Sequence, residues 1–172
     1  MIEKYVVSLD LAKKLKEAGF PQGGGGFYWV KYRLEDIDTS PEDEHFADPL
    51  VNPDAPVFKK YSLLYLSVWD YKFRFPANIV DFVKAPLAEE ILGELPVNIE
   101  TRDNVIHLYY LTIERGEDDK GQPWIWVKYE TPVGEEWIIE EDAKLSNALA
   151  HLWLWLKEHG YLEERDEAGK NL

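Results

Sequence analysis

Apolar residues recur along this chain at two spacings, and the spacing changes at glycines and prolines. Leu11, Ala12, Leu15 and Ala18 share one face at helical period. Ser8 is placed to cap that helix, Gly19 to end it and Pro21 to prevent its resumption. After the glycine run Gly23 to Gly26, Phe27 to Tyr32 (FYWVKY) is short and aromatic, the composition of a strand. Phe58 to Trp69 predicts a second strand. An aromatic stretch from Tyr71 to Phe75 follows and ends at Pro76. Ile79 to Val83 predicts a short strand or an extended connector.

Helical period returns after Pro86, which suits the first position of a helix running to Leu95. Leu87, Ile91 and Leu95 form its apolar stripe, Glu89 and Glu90 lie near its positive end, and Pro96 stops it. Val105 to Arg115 and Gln122 to Glu130 then read as the arms of an antiparallel hairpin around the polar loop Gly116 to Gly121. In the second arm Trp124, Trp126 and Lys128 point one way, and Ile125, Val127 and Tyr129 the other. Both sets are largely apolar, which predicts cover on both faces or an interface on one. Asp142 is placed to cap a last helix, Ala143 to His159, ended by Gly160. Leu145, Ala148, Leu149, Leu152, Leu156 and His159 gather on one side of it. Trp153 and Trp155 flank the stripe, and Leu154 projects from the opposite side.

Strand runs set between terminal and central helices predict an α+β fold, with an antiparallel sheet of about four or five strands and two to three packed helices. The 172 residues suit a single domain over residues 1–162, with a charged C-terminal tail at 163–172. Residues 34–57 interrupt the pattern. They hold eight acids, four prolines and no Lys or Arg, and predict a long, exposed acidic loop.

Charge changes the picture more than composition does. The formal net charge is −14. That balance opposes nucleic acid and anionic membranes and favours a basic protein partner. No apolar run is long enough to cross a membrane as a helix, and the N-terminus lacks a basic region followed by an apolar stretch. With no cysteine, a cytoplasmic location is expected.

Candidate chemistry is sparse. Without cysteine there is no thiolate catalysis and no thiolate zinc site. His45, His107, His151 and His159 form no metal-ligand spacing. The glycine run lacks the Lys-Ser/Thr of a phosphate loop. Asp36, Asp38 and Ser40 match the start of a calcium-loop register, but Pro41 replaces the needed glycine and Ala47 the needed glutamate. Paired carboxylates fit a glycosidase in principle, yet 33 acids make such pairs inevitable. No catalytic residue, cofactor or metal site is expected.

Four segments carry a resemblance: LAKKLKEAGFPQ (Leu11 to Gln22), FYWVKY (Phe27 to Tyr32), APLAEEILGELP (Ala85 to Pro96) and LSNALAHLWLWLKEHGYL (Leu145 to Leu162). Their order and spacing resemble a group of small uncharacterised proteins encoded by bacteriophages and prophages. The resemblance implies a phage accessory protein and brings no activity or functional residue with it.

Three functions fit these patterns. The first is a non-enzymatic interaction domain that binds a protein, basic or a second copy of itself. Its contact residues would be Asp36, Asp38, Glu42, Asp43 and Glu44 of the acidic loop, with Trp126 and Leu154 as apolar anchors. The second is an acidic inhibitor or immunity protein, in which carboxylates stand in for the phosphates bound by a toxin or nucleic-acid enzyme. The third is a small enzyme with a carboxylate site, which would need buried polar groups converging in a pocket.

Overall fold

The computed structural model describes residues 2–32, 61–66, 79–102 and 106–162. The predicted acidic loop and charged tail lie outside them, as do Asp36, Asp38, Glu42, Asp43, Glu44 and His45. The fold is α+β, with two antiparallel sheets of three and four strands. The chain divides into two compact units. One holds residues 8–86, and the other joins residues 2–7 to residues 87–172.

The first unit comprises α1 (Leu9–Glu17), β1 (Gly26–Tyr32), β2 (Ser62–Leu66) and β3 (Ile79–Lys84). Ser8 takes the N-cap position and Gly19 has φ +89°, a conformation suited to glycine. β1 is the central strand, flanked by β2 and β3. Tyr28 and Val30 are fully buried, with Leu64, Ile79 and Phe82 packed on them. The apolar face of α1, Leu11, Ala12 and Leu15, is buried as the period predicts. The glycine run is tied down through its own carbonyls. Tyr28 Oη donates to Gly24 O (2.6 Å) and Lys84 Nζ to Gly23 O (3.2 Å). Those bonds tie the run to β1 and β3.

The second unit comprises a 3-10 turn (Ile2–Lys4), α2 (Ala88–Leu92), β4 (Asn98–Arg102), β5 (Ile106–Glu117), β6 (Pro123–Glu130), β7 (Glu136–Asp142) and α3 (Leu145–Glu158). Its four strands form a meander in chain order. The predicted hairpin is β5–β6, with the first arm running two residues further, to Glu117. Asp118 Oδ1 closes its loop by accepting the amides of Lys120 (2.9 Å) and Gln122 (2.8 Å). The β6–β7 turn is closed by Thr131 Oγ1, which accepts the Glu135 amide at 3.1 Å, and by Gly134 at φ +83°.

Three helix boundaries shift. Pro86 precedes α2, because Leu87 takes the cap position and Glu90 Oε2 accepts its amide at 2.9 Å. Beyond Leu92, Leu95 is reached through a tight turn in which the amides of Glu94 and Leu95 bond three residues back. Asp142 is the last residue of β7 and is paired with Ile125, so Lys144 becomes the cap of α3. Asp142 still serves that start, since its carboxylate accepts the Lys144 amide (2.8 Å) and the Asn147 side chain (3.3 Å).

α3 lies on β6 and β7 and against α2. Its stripe, Ala148, Leu149, Leu152 and Leu156, is wholly buried, and so are Val127 and Tyr129 of β6, with Ile138 of β7 nearly so. His159 is exposed at the end of the stripe and stacks on Trp155, with ring centroids 3.9 Å apart. No helix among the described residues is long and apolar enough to cross a membrane.

Candidate interaction face

The β6 alternation gives the four-stranded sheet two different faces. Ile125, Val127 and Tyr129 point toward α3, together with their neighbours Leu111, Tyr109 and Ile138. Trp126 and Lys128 point the other way. Register then places Glu114, Thr112, Tyr110, Leu108 and Ile106 of β5 on that second face, with Glu100 of β4 and Ile139 and Glu141 of β7. This face stays open. Ile106 is 68% exposed, Ile139 45%, Tyr110 40% and Leu108 37%. Large apolar side chains in a contiguous row on a sheet are unusual on a surface with no partner.

At its centre Lys128 is nearly buried, 6% exposed, inside a ring of carboxylates. Its Nζ lies 2.9 Å from Glu136 Oε1, 3.0 Å from Glu114 Oε1 and 3.0 Å from Glu130 Oε2. Hydrogen bonds to Glu136, Glu114 and Glu130 hold the ammonium well above the usual lysine range, outweighing the opposing effect of burial. The bond from Lys128, and then one from Thr112, hold Glu130 below the usual carboxylate range. An ammonium has three N–H donors, and here three carboxylates take them. All three N–H groups of Lys128 are therefore engaged within the cluster. The cluster is a fixed electrostatic feature with one positive and three negative charges.

Trp126 lies half-buried beside this cluster, and the sequence owes its position to a glycine. A Cβ at Gly116 would sit 2.8 Å from Trp126 Cζ3, so only glycine lets the indole lie across β5. Leu154, the other predicted apolar anchor, is half-buried on α3 and so belongs to the opposite side of the sheet. The register thus places Trp126 on the same face as Ile139 and, further along β5, Tyr110, Leu108 and Ile106, and on the face opposite to Leu154.

The covered face holds the remaining aromatics. Trp137 packs on Tyr109 (5.3 Å between centroids), Trp155 (5.4 Å) and Tyr161 (4.7 Å). Tyr129 donates to Pro96 O, and burial pushes its phenol well above the usual range. Glu140, also on this side, is held above the usual carboxylate range by burial, against the attraction of His151 and with the repulsion of Glu141. His107 lies against Tyr109. Among the described residues no group of His, Asp and Glu is arranged to hold a metal ion.

Sequence reasoning missed Glu114, Glu130, Glu136, Ile139 and the role of Lys128. The hairpin register carried part of the signal, since Glu114 and Glu130 flank Lys128 once β5 and β6 are aligned. Glu136 and Ile139 depend on β7, whose acid-rich sequence EWIIEED gives no clear alternation. Comparison with family models, with curated proteins and with solved structures finds no match for this chain.

Proposed function

We propose that the chain is a protein-interaction domain, and that the open face of its four-stranded sheet docks a partner bearing Lys and Arg around an apolar patch. The observation that carries this reading is the exposed row Ile106, Leu108 and Tyr110, on a sheet whose other face already has its core. Aromatic and aliphatic side chains supply most interface energy when a rim excludes water from them. Glu100, opposite Leu108, and Glu130, opposite Tyr110, give the row acidic neighbours. Their charge, within a chain of −14, selects a basic partner and opposes a second copy of the same chain.

The test is capture of partners from cells that encode the protein, followed by binding measurements on the purified pair. Leu108→Lys should weaken binding by about tenfold or more, the scale of an interface anchor. Val80→Lys, in the other unit, should leave it unchanged. Affinity should fall as added salt shortens the screening length. A partner indifferent to Leu108→Lys, or to salt, overturns the reading. So does a dimer of the chain itself that Leu108→Lys dissolves.

A further inference from the structure

At the hairpin end of the same sheet, where α3 begins, a cavity of about 370 Å³ opens within the second unit. Its lining contradicts the character of the chain. Three cations, Lys4, Arg115 and Lys144, contribute to it, and among the described residues no Asp or Glu does. For a protein with 33 acids and 19 bases, that local reversal needs a reason. Arg115 and Ile125, opposite one another on β5 and β6, both line it, as does Trp124. Lys144 is held in place by a bond from its Nζ to Glu3 O at 3.1 Å.

The start of α3 lies against this cavity without a side-chain cap, because the cap residue is Lys144 and a lysine cannot accept. The first intrahelical bonds come from Asn147 and Ala148, both to Lys144 O, at 3.1 and 3.0 Å. The amides of Leu145 and Ser146 precede them and have no carbonyl within the helix. A helix start of this kind favours negative charge. Asp142 supplies some, but its carboxylate is engaged with the Lys144 amide and the Asn147 side chain, and it does not line the cavity.

A second, independent observation points to a ligand. Ser146 lines the cavity and is 2% exposed, and its Oγ is buried with no hydrogen-bond partner among the described residues. A buried hydroxyl without a partner is costly, and natural proteins rarely keep one without use. Cations, open amides and an unsatisfied hydroxyl beside one cavity describe a receptor for an oxyanion. Trp124 and Tyr5 add apolar and aromatic surface, and the volume falls in the range of small-molecule sites.

We propose that this cavity binds a small organic anion, a phosphate or carboxylate joined to a ring-sized apolar body. The anionic group sits among Lys4, Arg115, Lys144 and Ser146, and the ring lies along Trp124. This site is separate from the docking face and does not depend on that reading, so either can fail alone.

Phenyl phosphate, benzoate, inorganic phosphate and benzyl alcohol, titrated into the ¹⁵N-labelled full chain, separate the contributions. Phenyl phosphate or benzoate should shift the Leu145 and Ser146 amides saturably. The one that binds tighter tells which anionic group the site prefers. Inorganic phosphate and benzyl alcohol should bind about tenfold more weakly or worse, since each lacks half of the recognition. Ser146→Ala and Arg115→Gln should each weaken the organic anion by a similar factor. Ser146→Ala should also raise the melting temperature of the free protein, because it removes an unpartnered buried hydroxyl. That rise keeps the test valid against a variant that merely fails to fold. The proposal is overturned if neither organic anion shifts these amides, if benzyl alcohol binds as well as they do, or if both substitutions leave binding unchanged.

Discussion

The two faces of the four-stranded sheet begin from similar sequence and end in opposite states. Along β6, Ile125, Val127 and Tyr129 alternate with Trp124, Trp126 and Lys128, and neither set looks polar. On the α3 side Val127 and Tyr129 have no exposed surface, and neither have Leu149, Leu152 and Leu156 of the helix that packs on β6 and β7. On the other side the apolar residues of β5 and β7 stay open, and the center is an ion cluster. Packing makes the first face a source of stability. The second leaves a large part of Ile106, Ile139, Tyr110 and Leu108 exposed.

The sharpest way to break this comparison is a matched pair of truncations. Leu152→Ala, beneath α3, should cost about 2–5 kcal/mol through lost burial and the cavity left behind. Leu108→Ala, on the open face, should stay within about 0.5 kcal/mol. Chemical denaturation of both variants checks this, and equal losses would mean that the open face is also core. Next in size is Gly116→Ala. The new methyl would meet Trp126 at 2.8 Å, so the indole must move, at a cost of about 1–3 kcal/mol for forced repacking. Near-ultraviolet circular dichroism should register the displaced ring.

Lys128→Met sharpens the electrostatic half. It removes the group that holds Glu130 below the usual carboxylate range. A lowered folded-state pKa gives stability that is present above the ordinary carboxylate value and is lost as pH falls through the folded one. The native protein should therefore lose part of its stability in acid. Lys128→Met should be less stable at neutral pH and show a shallower loss on acidification, in melts followed across that range. The smallest effect belongs to Glu140→Gln. Burial raises this carboxyl, so its contribution is present below the ordinary carboxylate value and is lost as pH rises. The substitution should raise the melting temperature at neutral pH and change little in acid.

Much of the fold was legible where one periodicity dominated. The α1 stripe, the buried row of α3 and the β5–β6 hairpin all follow from spacing, because helices and strands repeat their side-chain directions over short distances. β4 and β7 were hidden for the converse reason. Asn98–Arg102 has Ile99 as the one buried side chain among those described, and Glu136–Asp142 is mostly acidic, as edge strands often are. Trp126 was legible as a candidate because its strand was apolar on both sides. The ion cluster was not, since Glu136 reaches Lys128 only through a strand that alternation does not reveal. Nor was the cavity. Lys4, Arg115 and Lys144 lie in three separate stretches of chain, and the buried state of Ser146 belongs to no local pattern.

From the sequence alone follow the α+β class, the helix faces and the strong acidity, because each is a local or summed property of side chains. Which face of the β4–β7 sheet receives α3, where three carboxylates surround one lysine, and where cations converge in an acidic protein were settled only by tertiary structure. Those features depend on strand register and on where a helix docks. Both bring together residues that no short-range period connects.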